Sequence, residues 1–236
     1  VEVKEGFLYL NGKCVFQRLI LDQGFYPDGI YTARCEEELL NDIKRSVACG
    51  FDGARLHQKI FEPRFLYHAD RLGYMVWGEF PSWGVDFSNM SHTGQFLTEW
   101  QEAIQRDFNH PSIITWCPLN EVWGDWDDPR KFRDSDVVDT IYDFTKRYDP
   151  TRPCVDVSGG HHGTTTDLYD FHTYENIDSL KSILDNLQNK DVLDVALLYT
   201  PHDDLRYQKG LPVSVSECGG IAFGNDYRED QTDTIN

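Results

Sequence analysis

The sequence predicts an α/β fold, a (β/α)8 barrel that is incomplete at its C-terminal end. Three observations carry that expectation. Strand-like segments alternate with segments of helical periodicity over nearly the whole chain, and such alternation implies a parallel sheet covered by helices. Acidic and polar residues gather at the C-terminal ends of several strands, where a barrel keeps its chemistry. No Gly-rich phosphate loop follows the first strand, so a doubly wound nucleotide-binding sheet fits less well.

The elements follow in order. Residues 7–10, Asn11-Gly12 and residues 13–21 read as a hairpin, because Asn-Gly favours the type I′ turn. This segment looks like the start of the barrel, closing its floor and supplying its first strand. Residues 36–49 place Leu39, Leu40, Ile43 and Val47 on one helical side, and Gly50 stops the helix. A strand at 53–56, a helix at 64–72 ending at Gly73, and a strand at 74–77 come next. Residues 95–108 are amphipathic and are broken by His110-Pro111. The apolar, β-branched run from Ile113 to Leu119 reads as a buried strand leading into Asn120-Glu121. A helix over 135–148 with Ser135 or Asp136 as its cap, strands at 153–157 and 167–171, a helix at 179–187 and a strand at 211–216 complete the pattern. About seven strands can be counted, so the eighth of a barrel is missing or lies beyond Asn236. The whole of 1–236 reads as one catalytic domain without repeat or linker.

A formal charge of −18 disfavours nucleic acid and anionic membranes as partners. No apolar run approaches the roughly 18 residues of a membrane span. The start Val1-Glu2-Val3-Lys4-Glu5 is not a signal peptide and lacks an initiator Met, so the chain reads as an excised or processed piece. Cytoplasmic, periplasmic and secreted locations all stay open, as does the oligomeric state. None of the six cysteines has C-x-x-C spacing, and Cys117 and Cys154 in apolar strand patterns read as buried free thiols. The 14% aromatic content suits a carbohydrate site and an ordinary large core equally.

Glu79, Glu121 and Glu217 each end a strand, and Glu175 follows a fourth. In a parallel sheet these carboxyls share one rim, and crowding raises the pKa of at least one. Cleavage of a glycosidic bond needs one protonated and one ionised carboxyl group. Glu121 and Glu217 would end strands four and seven, across a narrow barrel mouth from each other.

At these residues the chain resembles the barrel domain of the family 2 glycoside hydrolases, the group of β-galactosidases, β-glucuronidases and β-mannosidases. The resemblance covers almost all of the chain. It rests on residues 21–29 (LDQGFYPDG), 53–58 (GARLHQ), 77–84 (WGEFPSWG), 110–114 through Asn120-Glu121, and 216–220 (SECGG). It implies a retaining, exo-acting β-glycosidase, β-galactosidase-like, with Glu121 as general acid/base and Glu217 as nucleophile. Asn120 would bond the sugar 2-hydroxyl, and Tyr174 and Arg55 would stabilise the ionised nucleophile. His57, Glu79, His172 and Trp123 complete the expected substrate-binding set. No metal and no cofactor are expected. Partners would be a carbohydrate substrate and further domains of a larger parent protein, since the family places jelly-roll and immunoglobulin-like domains before the barrel. Residues 172–175 read His-Thr-Tyr-Glu where relatives carry His-Asp-Tyr-Glu, so the acidic position is lost here.

Several residues keep two readings. Glu79 binds a hydroxyl or anchors Arg55. His57 is a rim histidine or a sugar ligand. Trp83 and Trp123 stack on substrate or pack loops. His161-His162 invites a metal reading, but no H-x-H strand supports it. Asp125, Asp127 and Asp128 read as a solvated acidic loop. The alternative to an enzyme is a catalytically incomplete barrel fragment or carbohydrate-binding scaffold. A metal-dependent barrel hydrolase is disfavoured by the lack of a ligand cluster.

Overall fold

The structure, a computed structural model, describes residues 1–123, 134–189 and 210–220. Strands β1 (Glu2–Lys4), β2 (Phe7–Leu10) and β3 (Lys13–Val15) form an antiparallel meander. Its turns are Glu5-Gly6 and Asn11-Gly12. All four residues have positive φ, between 51° and 80°, as a type I′ turn requires.

The arm expected over residues 13–21 is broken. β3 ends at Val15, and β4 (Leu19–Asp22) opens a separate parallel sheet. Arg18 sits at the break. Its guanidinium donates to both oxygens of Asp52 at 2.8 and 3.0 Å, and its carbonyl accepts from the Asp52 amide. The chain is therefore tied to the next strand just before β4 begins.

β4 pairs in parallel with β5 (Gly53–Leu56), β5 with β6 (Met75–Glu79), and β6 with β7 (Ile113–Cys117). Helices α1 (Glu36–Ala48), α2 (Pro63–Leu72) and α3 (Thr93–Asp107) make the crossovers. After α4 (Ser135–Tyr148), residues 153–158 run beside β7. The strand expected there forms only the isolated bridges Trp116↔Cys154 and Asn120↔Ser158. β8 (Tyr169–Thr173), α5 (Ile177–Asn189) and β9 (Val213–Cys218) follow, and β8 pairs in parallel with β9. Counting 153–158 as the fifth, seven barrel positions are filled among the described residues. None of those residues forms a strand between β9 and β4.

The helix ends follow their sequence signals. Three glutamates, Glu36 to Glu38, face the positive end of the α1 dipole. α2 starts on Pro63 and stops at Gly73, whose φ of 68° a side chain would strain. The cap of α4 is Asp134, not Ser135 or Asp136. Asp134 is extended, and its Oδ1 accepts from the Asp136 amide at 2.9 Å. β8 begins two residues later than expected because Asp167 is already used. Its carboxylate accepts from the Cys154 amide at 2.8 Å and the Tyr142 hydroxyl at 3.0 Å.

Two apolar layers hold the barrel. Between sheet and helices, Ile43, Phe65, Trp100, Ile113, Trp116 and Ile141 pack together with their neighbours. Inside the barrel, Trp77, Ile114, Cys117, Val155 and Leu168 meet Leu8 of β2, with Val3, Leu10 and Val15 against them. The meander thus seals the end of the barrel opposite the strand C-termini, and Trp77 Nε1 adds a bond to Gln17 Oε1 at 2.8 Å. Cys117 and Cys154 are buried free thiols, while Cys14, Cys35, Cys49 and Cys218 are exposed. No helix among the described residues is long and apolar enough to cross a membrane.

Gly78 shows how closely the sheet meets its helices. A Cβ there would lie 2.6 Å from Trp116 Cζ3. The indole cannot yield: its Nε1 donates to Asp149 at 2.8 Å and its ring stands edge-on to Trp100. Gly78→Ala should therefore cost about 1–3 kcal/mol, as overpacking does, measured as a lowered urea midpoint with an unchanged m-value. An unchanged midpoint would show that the ring can move.

Candidate active site

Above the apolar floor the barrel interior turns polar. Arg55 of β5 is only 2% exposed, and a buried guanidinium requires acceptors for all five N–H groups. Its Nε and Nη2 donate to Glu79 of β6 at 2.7 and 3.2 Å. Nη2 also donates to Asn120 Oδ1 at 2.5 Å. Nη1 donates to Glu217 Oε1 of β9 at 2.8 Å and to Ser216 Oγ at 3.3 Å. Burial alone would lower the Arg55 pKa, but the Glu79 carboxylate, reinforced by Glu217, holds it above its ordinary value.

Glu79 is spent on this clamp. Beyond Arg55, its Oε1 accepts from the Gln58 amide at 3.0 Å and faces His57 Nδ1 at 3.1 Å. Burial pushes its pKa up, yet Arg55 and His57 bring it net below the usual carboxylate value. Of the two readings of Glu79, the geometry matches the anchor.

Asn120 and Glu121 lie beyond the end of β7 on a segment fixed from three sides. The Asn120 amide donates to Ser82 Oγ at 3.1 Å, and its carbonyl accepts from Trp83 Nε1 at 3.1 Å. The Glu121 amide donates to the Ser158 carbonyl at 2.8 Å. Glu121 has φ of 47°, a left-handed conformation costing roughly 1–2 kcal/mol in a residue with a Cβ. Asn120 Nδ2 is buried and has no hydrogen-bond partner among the described residues.

Glu217 has both oxygens engaged. Arg55 donates to Oε1, and the Tyr174 hydroxyl donates to Oε2. The Tyr174 pKa rises through burial and through the adjacent Glu217 carboxylate. His172 of β8 stands between the two glutamates, with Nδ1 2.8 Å from Glu121 Oε1 and Nε2 3.4 Å from Glu217 Oε1. One oxygen of Glu121, one nitrogen of His172 and one oxygen of Glu217 all lie within 4.8 Å of one another. The sequence shows no metal-ligand cluster, but the fold assembles one in this trio from three segments far apart in the chain; the Arg55 guanidinium brings a positive charge beside it.

At Glu121 the crowding effect is not the one that wins: the His172 hydrogen bond outweighs burial and lowers its pKa. The other expected residues are arranged as follows. His57 borders the clamp, 3.2 Å from Arg55 Nη2. Trp123 is 37% exposed and stands edge-on to His161, while Trp83 is 67% exposed. His162 is no metal candidate, because its Nδ1 meets Asp156 Oδ1 at 2.7 Å and its Nε2 meets the Asp170 carbonyl at 2.8 Å. The segment with Asp125, Asp127 and Asp128 lies outside the described residues. Ser158 and Asp170 escaped the sequence reading. The spacing of Asp170 and His172, two apart on one strand, signals a shared inward face.

Removing Arg55 should be severe, because breaking a buried ion pair costs about 3–5 kcal/mol. It should also invert an acid response. A depressed Glu79 pKa gives stability that is present above its unfolded value near about 4.3 and is lost as pH falls through the folded value. In Arg55→Met only His57 and the Gln58 amide oppose burial at Glu79, its pKa rises, and acidification through that window should stabilise. Urea midpoints between pH 6 and pH 3 test this; parallel trends in both proteins would contradict it.

Comparisons with known proteins identify the family and the fold. Residues 35–195 match the model of the family described as glycosyl hydrolases family 2, TIM barrel domain. The chain is 28% identical over 176 residues to a β-galactosidase of Alteromonas mediterranea, covering 71% of this chain and 16% of that protein. A Photobacterium profundum β-galactosidase is 28% identical over 175 residues, with the same coverage. The chain thus spans about a sixth of the length of these relatives. Among solved structures, a Bifidobacterium dentium β-glucuronidase complexed with coumarin-3-O-glucuronide superposes with a TM-score of 0.75 at 18% identity, over 97% of this chain and 37% of that one. A β-galacturonidase from Eisenbergiella tayi bound to galacturonate gives 0.72 at 19%, over 98% and 40%. At such identity the structures support the fold, a TIM barrel, and the family match carries the assignment: this chain belongs to glycosyl hydrolase family 2, through its TIM barrel domain.

Proposed function

We propose that this chain carries the active site of a retaining β-glycosidase that removes a terminal β-linked sugar by double displacement. The observation that carries this reading is the spacing of the two carboxylates. Oxygens of Glu121 and Glu217 come within 4.8 Å. Retaining pairs stand about 5–5.5 Å apart and inverting pairs about 6.5–9.5 Å. Glu217 is the nucleophile, because Arg55 and Tyr174 each donate to one of its oxygens and hold the carboxylate in place. Glu121 is the acid/base. It gives a proton to the leaving oxygen as Glu217 bonds to the anomeric carbon, then takes one from the water that releases the sugar.

The other residues orient the sugar. Asn120 Nδ2, a buried donor with its carbonyl held by Arg55, suits the 2-hydroxyl. His57 and His172 border the same mouth, Trp123 is the candidate for stacking on the sugar, and Glu79 contributes through Arg55. A neutral, β-galactoside-like sugar is favoured over a uronate. The five N–H groups of Arg55 already face protein oxygens, which leaves that guanidinium no free donor for a substrate carboxylate. His172 Nδ1, 2.8 Å from Glu121 Oε1, is placed to share the catalytic proton with it. Further domains of a larger parent protein are the expected partners.

The second reading, a scaffold that binds sugar without turnover, draws on the short coverage of the relatives. A nitrophenyl-glycoside assay separates the two, since a scaffold gives no release. For the enzyme, Glu217→Ala should lose turnover by orders of magnitude, and azide should restore part of it. The azide attacks where Glu217 stood, so the product should be the α-glycosyl azide. Glu121→Ala with azide should give the β-glycosyl azide instead. Undiminished turnover in Glu217→Ala, or the opposite pair of products, would sink the assignment.

A further inference from the structure

Asp170 is a buried carboxylate that the double-displacement mechanism does not use. Its Oδ2 accepts from Ser216 Oγ at 2.6 Å, Ser158 Oγ at 2.9 Å and the Gly159 amide at 3.2 Å. Its Oδ1 is buried and has no hydrogen-bond partner among the described residues. A carboxylate only accepts, and each serine hydroxyl has one proton to give. The two hydroxyls also lie 2.8 Å apart and can bond each other, but Asp170 Oδ2 is the charged acceptor that both reach, and their protons are assigned to it.

The same two hydroxyls touch His172. Nε2 lies 2.9 Å from Ser158 Oγ and 3.1 Å from Ser216 Oγ. With their protons turned to Asp170, these oxygens can only accept, so Nε2 must carry hydrogen. Glu217 Oε1 at 3.4 Å and Asp170 Oδ2 at 4.0 Å favour the same form. The opposing neighbour is Arg55 Nη1, at 3.4 Å, but its hydrogens go to Glu217 and Ser216. Gly159 fixes the ring itself. At its φ of +64° a Cβ would fall 2.2 Å from the His172 ring, so bare backbone lies against the imidazole face. Among the described residues Nδ1 is left with one partner, Glu121 Oε1 at 2.8 Å.

We propose that Asp170 is a positioning residue that, through the hydroxyls of Ser158 and Ser216, fixes the Nε2–H form of His172 and thereby leaves Nδ1 as the site that shares the catalytic proton with Glu121. The inference rests on the glycosidase reading and deepens it. During glycosylation the bond from the anomeric carbon to the leaving oxygen breaks, and a bond to Glu217 forms. The proton shared along Nδ1–Oε1 moves to the leaving oxygen, leaving Glu121 ionised and His172 neutral with Nε2–H. During hydrolysis the bond to Glu217 breaks, the water oxygen bonds the anomeric carbon, and the water proton returns to the pair. In the opposite tautomer the only ring proton sits on Nδ1, and giving it up would leave an imidazolate, so Glu121 would stay an acceptor and the acid would be lost.

The test compares leaving groups in the intact protein. In Asp170→Ala the serine protons can turn to Nε2. kcat/KM for an alkyl β-glycoside, which needs the proton, should fall about tenfold or more, part of the ~10²–10⁴ that general acid catalysis supplies. kcat/KM for the dinitrophenyl glycoside, whose leaving group needs none, should change little. Asp170→Asn keeps an acceptor for the same three donors and should recover most of the loss. Equal losses on both substrates, or no recovery in Asp170→Asn, would overturn the proposal. Absence of turnover by the unmodified protein on either substrate would overturn the glycosidase reading instead. Independently of activity, ¹⁵N spectra of His172, assigned with His172→Gln, should show a protonated Nε2; a neutral ring protonated only on Nδ1 would refute the inference.

Discussion

A guanidinium buried at the top of a barrel has to find five acceptors within reach, and Arg55 finds them on three other segments of the barrel wall. That requirement organises the site. Glu79 is consumed as a counter-charge, Asn120 is turned so that its amide faces inward, and Glu217 is held by its Oε1. The arrangement is possible because parallel strands bring their C-terminal ends to one rim. Its cost is that no partner can be removed singly, since each would leave a charge or a donor stranded in the interior.

The acid/base segment is held by a different device. Glu121 occupies a left-handed backbone conformation that its side chain disfavours, and bonds from Ser82, Trp83 and Ser158 to the two successive peptides hold it there. Beneath it, the N-terminal meander and the side chains of Trp77, Ile114 and Val155 form a dry floor. The carboxylates therefore project from a packed support, which is what a fixed separation between them requires.

Much of this was legible in the sequence, for identifiable reasons. Strand–helix alternation, the Asn11-Gly12 turn and the glycine stops are local signals, and they gave the barrel and most element ends. Glu79 closes β6 as read, whereas Glu217 lies inside β9 and Glu121 lies beyond β7. The errors have tertiary causes. Residues 13–21 look continuous until Arg18 binds Asp52, and residues 153–157 look like a strand although their ladder is nearly reduced to two bridges. The direction of the Glu121 shift depends on His172, a distant position that no local pattern connects to it. Ser158 and Asp170 are ordinary polar residues in one dimension, and their meaning appears only when 153–158, β8 and β9 stand side by side.

The central claim is that Glu121 and Glu217 are close enough for direct attack and too close for an intervening water to act first. Proton NMR of the sugar released in the first minutes of hydrolysis by the intact protein tests it, before mutarotation mixes the anomers. The account predicts that the β-anomer forms first and the α-anomer grows in later at the spontaneous rate. Initial release of the α-anomer would mean inversion and would contradict it.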